Sequence, residues 1–284
     1  MNYMELDTPS LLIDRDILVD NLRFMQNYAD EQNVALRPHT KTHKMPDLAK
    51  MQDKLGARGI TVAKVGEAEV MADNGLNDIF IANEIVGKQK LQKIRKLMDF
   101  VDVSFAVDTP CQVLAAEKIF NDYDKPAQVL IEIEVGENRS GIIEEADFVE
   151  LIKTIKECKH VHFKGIFSHE GHCYNAETLE DCKEKFIISQ RRTLRFAELA
   201  NELGLPAKVV SIGSTPSLMN GFDILKGITE IRPGTYTLMD ASQGHAIGTL
   251  KRCAATVLTT VISRPTEERV ITDVGAKGLT AQTR

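Results

Sequence analysis

The amino-acid sequence predicts a (β/α)8 barrel followed by a β-rich segment, and three observations lead there. Eight short β-rich runs alternate with helical runs between Val34 and Pro233, the order and size of a barrel. No G-x-G-x-x-G follows the first of these runs and no Gly-Lys-Ser/Thr phosphate loop occurs, which disfavours an open dinucleotide-binding sheet. The chain has 284 residues, 43% of them hydrophobic and 27% charged, enough for a large buried core and typical of a globular protein.

The elements follow in order. After the opening LLID, the stretch Asp16 to Asp30 repeats Ile17, Leu18, Leu22, Met25 and Tyr28 at helical spacing, which predicts a helix with one buried face. VALRP (34–38) is the first barrel strand, and MPDLAKMQDKLG is a helix that stops at Gly56, a residue suited to a helix C-terminus. ITVAK (60–64), IFIAN (79–83), VDVSFAVD (101–108) and QVLIEIEV (128–135) are strands two to five, separated by the helical runs EAEVMADNG, QKLQKIRKLM and CQVLAAEKIF. HFKGIFSH (162–169), KVVSIG (208–213) and ITEIRP (228–233) complete the eight, with a long helix from Leu179 to Leu203. Beyond them TYTLMD, CAATVLTTVISR and RVITDVGA read as successive antiparallel strands with no helix between them.

Charge and composition narrow the function. With 35 Lys+Arg against 41 Asp+Glu, a net charge of −6 and no basic block, nucleic acid is not an expected partner. No apolar run is long enough to span a bilayer, and MNYMELDTPS lacks the features of a signal peptide, so a soluble, cytoplasmic protein that does not bind membranes is expected. The five cysteines are scattered and odd in number, a pattern of reduced thiols rather than a disulfide framework or a zinc site.

In a barrel, chemistry belongs at the C-terminal ends of the strands, with phosphate commonly held after strands seven and eight. GSTPS (Gly213, Ser214, Thr215, Pro216, Ser217) follows strand seven, and RPGTY, with Gly234, Thr235 and Tyr236, follows strand eight. Both offer small residues, hydroxyls and backbone N–H groups suited to a phosphate. RPHTKTHK after strand one crowds Arg37, His39, Lys41, His43 and Lys44 together, and such crowding favours a neutral, nucleophilic lysine. A phosphate-bearing aldehyde held by a lysine is pyridoxal 5′-phosphate (PLP). Arg139 follows strand five, Asn83 ends strand three, and His169, His172, Cys173 and Tyr174 follow strand six. The histidines and cysteine of that last loop read as a polar loop rather than a metal site, with His169 the candidate for cofactor or substrate.

LDTPSLLID, RPHTKTHK, VGENRSG, GSTPS and RPGTY, in this order, resemble the D-threonine aldolase and D-serine dehydratase group of fold-type III PLP enzymes, relatives of alanine racemase. The resemblance covers nearly the whole chain. It implies that Lys41 forms a Schiff base with PLP, that Arg139 lies against the cofactor ring, that His169 lies on the ring's face or near the substrate, and that Gly213, Ser214, Thr215, Gly234, Thr235 and Tyr236 bind or flank the phosphate. Lys41 and His169 are the implied catalytic residues, and a D-amino acid is the implied substrate. The implied activity is metal-assisted D-threonine aldolase cleavage of D-3-hydroxy amino acids to glycine and an aldehyde. The alternatives are a D-serine or 3-hydroxyaspartate dehydratase and a non-catalytic PLP-binding protein. By the same resemblance the protein is a homodimer with a divalent metal, of manganese or zinc type, held by a C-terminal His-x-Asp or His-x-Cys pair. The sequence reaches VITDVGAKGLTAQTR before such a pair, so no metal ligands are assigned. The expected layout is a barrel at 12–238 with a truncated β domain at 239–284 joined by 1–11.

Overall fold

The computed structural model describes residues 3–276 and 278–279. The remaining positions of the two β-rich ends lie outside the described residues. In chain order the elements are β1 (Ser10–Ile13), α1 (Arg15–Glu31), β2 (Ala35–Leu36), α2 (Pro46–Lys54), β3 (Ile60–Val62), α3 (Val65–Asp73), β4 (Asp78–Glu84), α4 (Lys88–Leu97) and β5 (Asp102–Val107). There follow α5 (Pro110–Phe120), β6 (Ala127–Ile133), α6 (Glu145–Glu157), β7 (Val161–Ser168), α7 (Leu179–Glu202), β8 (Val209–Ile212), α8 (Thr215–Met219) and β9 (Glu230–Ile231). The described chain ends with α9 (Ala241–Ala246), β10 (Ala255–Leu258), β11 (Val261–Ser263) and β12 (Ile271–Thr272).

Strands β2 to β9 form one parallel sheet in the order β2-β9-β8-β7-β6-β5-β4-β3. Its two edges meet: Arg58 N–H donates to Leu36 O (2.7 Å), Thr61 N–H donates to Pro38 O (2.8 Å), and His39 bridges Thr61 in parallel. The sheet thus curls into the barrel that the alternating pattern predicts.

Two apolar regions hold it. The larger lies between strands and helices, where α1 buries Leu18, Leu22, Met25 and Tyr28 on the face its spacing predicts. Asp14 caps that helix by accepting from the N–H groups of Asp16 and Ile17, both at 3.0 Å, which satisfies donors left open at a helix start. The smaller region is the barrel interior, where Phe80, Ala106, Leu130 and Phe167 pack together, the two rings edge to face at 5.0 Å.

Below this aromatic layer the barrel is closed by charge. Arg37 Nε donates to Glu230 Oε2 (2.7 Å), and its two terminal nitrogens grip Asp78 at 2.7 and 3.0 Å. Ser211 Oγ donates to the other oxygen of Glu230 (2.7 Å), while Lys164 pairs with Asp102 at 3.2 Å. Burial alone would lower the Arg37 pKa, but Glu230 and Asp78 override it and hold the guanidinium firmly protonated.

Two expectations need correction. TYTLMD is not a strand: Thr235–Thr237 is a 3-10 turn, and α9 then intervenes before β10. Thr237 N–H and Met239 N–H donate back to Gly234 O and Thr235 O, Met239 takes a left-handed φ of 55°, and Asp240 caps α9. The alternating residues of that run have both Tyr236 and Thr237 buried, so alternation here marks packing in a coil, not a two-faced sheet. The later strands do pair antiparallel, but β11 with β12 and β10 with β1. The opening segment therefore closes on the C-terminal strands and not on the barrel.

Replacing Arg37 by Met strands the buried Glu230 carboxylate without its cation, a loss of about 3–5 kcal/mol for a broken buried pair. Urea unfolding should show a correspondingly lower midpoint for Arg37→Met, with a substantial part restored in Arg37→Met/Glu230→Gln.

Candidate active site at the barrel mouth

Above the aromatic layer, a cavity of about 290 Å³ opens at the C-terminal ends of the strands. The 3-10 turn that follows β2 brings His39 and Lys41 to its wall. The cluster expected around Lys41 disperses. Arg37 points down into the ionic floor, Lys44 pairs outward with Glu67 at 3.1 Å, and His43 Nδ1 accepts from Met45 N–H (3.0 Å). The chain leaves β2 through Pro38, coils in the 3-10 turn Thr40–Thr42 and turns again at Lys44 with a left-handed φ of 57°, so a crowded sequence becomes a divided one.

The segment after β6 folds back on its own strand. Ile142 N–H donates to Glu132 O (2.9 Å) and Glu134 N–H to Ile142 O (3.0 Å). This return places Arg139 and Ser140 on the cavity wall beside Glu132, which accepts from Arg139 Nη2 (3.2 Å) and Ser140 Oγ (2.8 Å). Arg139 Nε also lies 3.4 Å from Glu137.

His169 stands at the end of β7. Its Nδ1 lies 2.5 Å from Gly213 O, and because a carbonyl only accepts, Nδ1 carries the hydrogen and Nε2 keeps its lone pair. Burial, reinforced by Lys41 and Arg139, holds this imidazole well below the ordinary histidine range. His39 is held low in the same way by burial, Lys41 and Arg232, so both rings are neutral near pH 7.

The turns after β8 and β9 lie side by side. A Cβ on Gly213 would come within 2.7 Å of Arg232 N, and one on Gly234 within 2.7 Å of His39 O. Glycine at these positions therefore lets the ends of β8, β9 and β2 converge. Gly213, Ser214, Gly234 and Thr235 line the cavity. Thr215 and Tyr236 stand behind it: Thr215 N–H meets the Tyr174 hydroxyl (3.3 Å), and the Tyr236 hydroxyl accepts from Gln52 (2.9 Å).

Several lining groups carry no assignment from sequence. Arg232 lies against the rings of Phe167 and Phe80 at 5.0 and 5.9 Å and donates from Nη2 to Ser168 O (2.7 Å), while its buried Nη1 has no partner. Burial lowers its pKa to about 10, against Glu230 and Glu170, so it remains a cation. Glu84 and Glu132 also line the cavity. An arginine closing strand eight and an acid at an inward-facing position of strand five were the available signals. Asn83 lines the wall and bonds Ala63 O at 3.0 Å. Tyr174 lines it too, whereas His172 packs by Ser189 and Cys173 is buried elsewhere in the core. Among the described residues no group of three or more His, Cys, Asp or Glu side chains is placed to hold a metal ion.

The profile of the family described as alanine racemase, N-terminal domain, matches residues 13–242. The chain is 35% identical over 280 residues to D-threonine aldolase of Arthrobacter sp, covering 97% of this chain and 73% of that protein. It is 31% identical over 277 residues to D-threo-3-hydroxyaspartate dehydratase of Delftia sp. (strain HT23), covering 96% and 72% respectively. The crystal structure of D-threonine aldolase from Filomicrobium marinum superposes with a TM-score of 0.87 at 30% identity, covering 96% of this chain and 74% of the other.

As the pH is lowered through about 6.5, the imidazole nitrogens of His39 and His169 should keep neutral-form shifts in 15N NMR. Titration of either ring in that range would contradict its burial between cations.

Proposed function

The chain belongs to the alanine racemase N-terminal domain family, in its D-threonine aldolase and D-serine dehydratase group of PLP enzymes, and from that premise we propose that it is a PLP-dependent lyase acting on D-3-hydroxy amino acids. The observation that carries this reading is the convergence at one barrel mouth of Lys41, Arg139 and Arg232 with two neutral histidines. The buried, unpartnered Nη1 of Arg232 supplies a donor awaiting an acceptor, and the β8 and β9 turns, drawn together at their glycines, set Gly213, Ser214, Gly234 and Thr235 on the cavity wall, the small and hydroxyl residues that suit a phosphate. These residues fit the cofactor.

In this reading Lys41 is the amine that takes the cofactor's aldehyde, the turns at Gly213, Ser214, Thr215 and at Gly234, Thr235, Tyr236 hold or flank the phosphate, and Arg139 and Arg232 hold polar atoms of the ring. Bound PLP supplies an electron sink for the pair left on Cα when a bond there breaks. Aldol cleavage needs a base that takes the β-hydroxyl proton as the Cα–Cβ bond breaks and the aldehyde leaves, then a proton returned to Cα to give glycine. His169 Nε2 carries the lone pair for proton uptake, fixed in direction by the Nδ1–H bond to Gly213 O. Lys41 is the cavity's amine and the partner for proton transfer at Cα.

The D-threonine aldolase relative favours the aldolase reading, and the dehydratase relative supports the second, loss of the β-hydroxyl to an oxo acid and ammonia. Incubation with PLP, manganese and D-threonine should give glycine and acetaldehyde, and a parallel chelator reaction reads the metal dependence. Lys41→Ala should lose the borohydride-trapped cofactor adduct and at least about 10²-fold in turnover. Oxo acid and ammonia would move the assignment to the dehydratase, and trapped cofactor with no product would make this a PLP-binding protein.

A further inference from the structure

The register of β4 breaks just before the cavity. Ile81 pairs with Phe105, but the next pair is Glu84 with Ala106, leaving Ala82 and Asn83 as extra residues. Glu84 keeps the inward side of β4 that Phe80 and Ala82 hold, is re-paired to Ala106 by the bulge, and lines the cavity wall with Glu132 of β6. Glu132 is already committed: one oxygen accepts from Arg139 Nη2 and the other from Ser140 Oγ. The Glu84 carboxyl stands against this same carboxylate, which adds to burial in raising its pKa, and its Oε1 is buried with no partner.

Two carboxylates have only lone pairs to offer, so a hydrogen bond between them requires a proton on one. Because both oxygens of Glu132 already accept hydrogen bonds, the proton belongs to Glu84. Resting on the PLP reading above, we propose that Glu84 and Glu132 form one proton-sharing carboxyl pair that holds Arg139 at the cofactor site, which makes Glu84 a positioning residue.

Burial and Glu132 push the Glu84 carboxyl up to about 9, and Asp108 beyond β5 adds to the effect. The other charged groups facing the cavity are Arg139, Lys41 and Arg232, with Glu137 beside Arg139 and the neutral His39 and His169. With Glu84 protonated, the pair presents Arg139 with a single negative charge and fixed geometry. Once Glu84 ionises, the two carboxylates repel and the Glu132 orientation that aims the guanidinium is lost. The cofactor-competent form is therefore the one present below about pH 9.

The test has two arms. In the protein without PLP, infrared spectra with 13C-labelled glutamate should show a protonated-carboxyl carbonyl band at neutral pH that fades as the pH passes about 9 and is missing from Glu84→Gln. In the loaded protein, the PLP dissociation constant of the wild type should rise about tenfold per pH unit above that point. For Glu84→Gln, whose amide still donates to Glu132 but cannot ionise, the ratio between alkaline and neutral pH should stay flat apart from titration of the cofactor and Lys41, whatever its neutral-pH affinity. A wild-type spectrum with no such band, or a Glu84→Gln ratio equal to that of the wild type, would overturn the pair. A wild type that binds no PLP at any pH would instead sink the PLP reading and leave the infrared arm to decide the pair alone.

Discussion

The structure depends on the seam where β2 meets β3. A parallel barrel exists only if its first strand finds both neighbours, and β2 is just two residues long, paired to β9 by a short register. Arg37 compensates for that brevity. From the end of β2 its guanidinium reaches Glu230 on β9 and Asp78 on β4, so one side chain spans the seam in both directions. The next residues, Pro38 and His39, then bond to Thr61 of β3, and the chain enters the 3-10 turn that carries Lys41. The same ion set that closes the barrel floor thus fixes the height and direction from which Lys41 enters the cavity.

The interior is layered in consequence. Charges at the floor are paired and fixed by hydrogen bonds, Phe80 and Phe167 separate them from the mouth, and Arg232 lies against both rings with Nη1 left unpartnered above. Burial is the leading influence on this arginine and lowers its pKa, while Glu230, Glu170 and the adjoining rings help keep it charged. Beside this fixed cation and Lys41, His39 and His169 rest neutral, His39 Nδ1 accepting from Lys41 N–H and His169 Nε2 keeping its lone pair at the mouth.

Much of this was legible in the sequence because barrel strands announce themselves: each is a short apolar run followed by a polar turn, and the turns mark the functional end. The alternation gave eight strands, and the turns at Lys41, Arg139, His169, Gly213 and Gly234 do meet around one cavity. What failed was direction. Arg37 and Lys41 lie four positions apart, and the 3-10 turn that begins between them, not visible in the sequence, decides that one descends to the floor while the other lines the mouth. Thr235–Thr237 alternates like a strand but coils, because the close approach of Gly234 to His39 O turns the chain at that point. Glu84 was invisible for a related reason: a bulge is a shift in pairing between two strands, a property of the pair that neither strand's own residues display.

Sharing a proton also explains why an acid is tolerated at that wall. Alternation puts Glu84 on the interior side with Phe80 and Ala82, and the two extra residues re-pair it with Ala106 while Ile85 N–H returns to the ladder at Ala106 O. A buried acid beside another acid is unfavourable when both are ionised and becomes a directed hydrogen bond when one is not. The inward-facing pattern and the proton act together: Phe80, Ala82 and Glu84 share the interior side of β4, and without the proton the meeting of Glu84 with Glu132 would repel. Arg139, bonded to Glu132 and close to Glu137, is held by the outcome of that balance rather than by a simple ion pair.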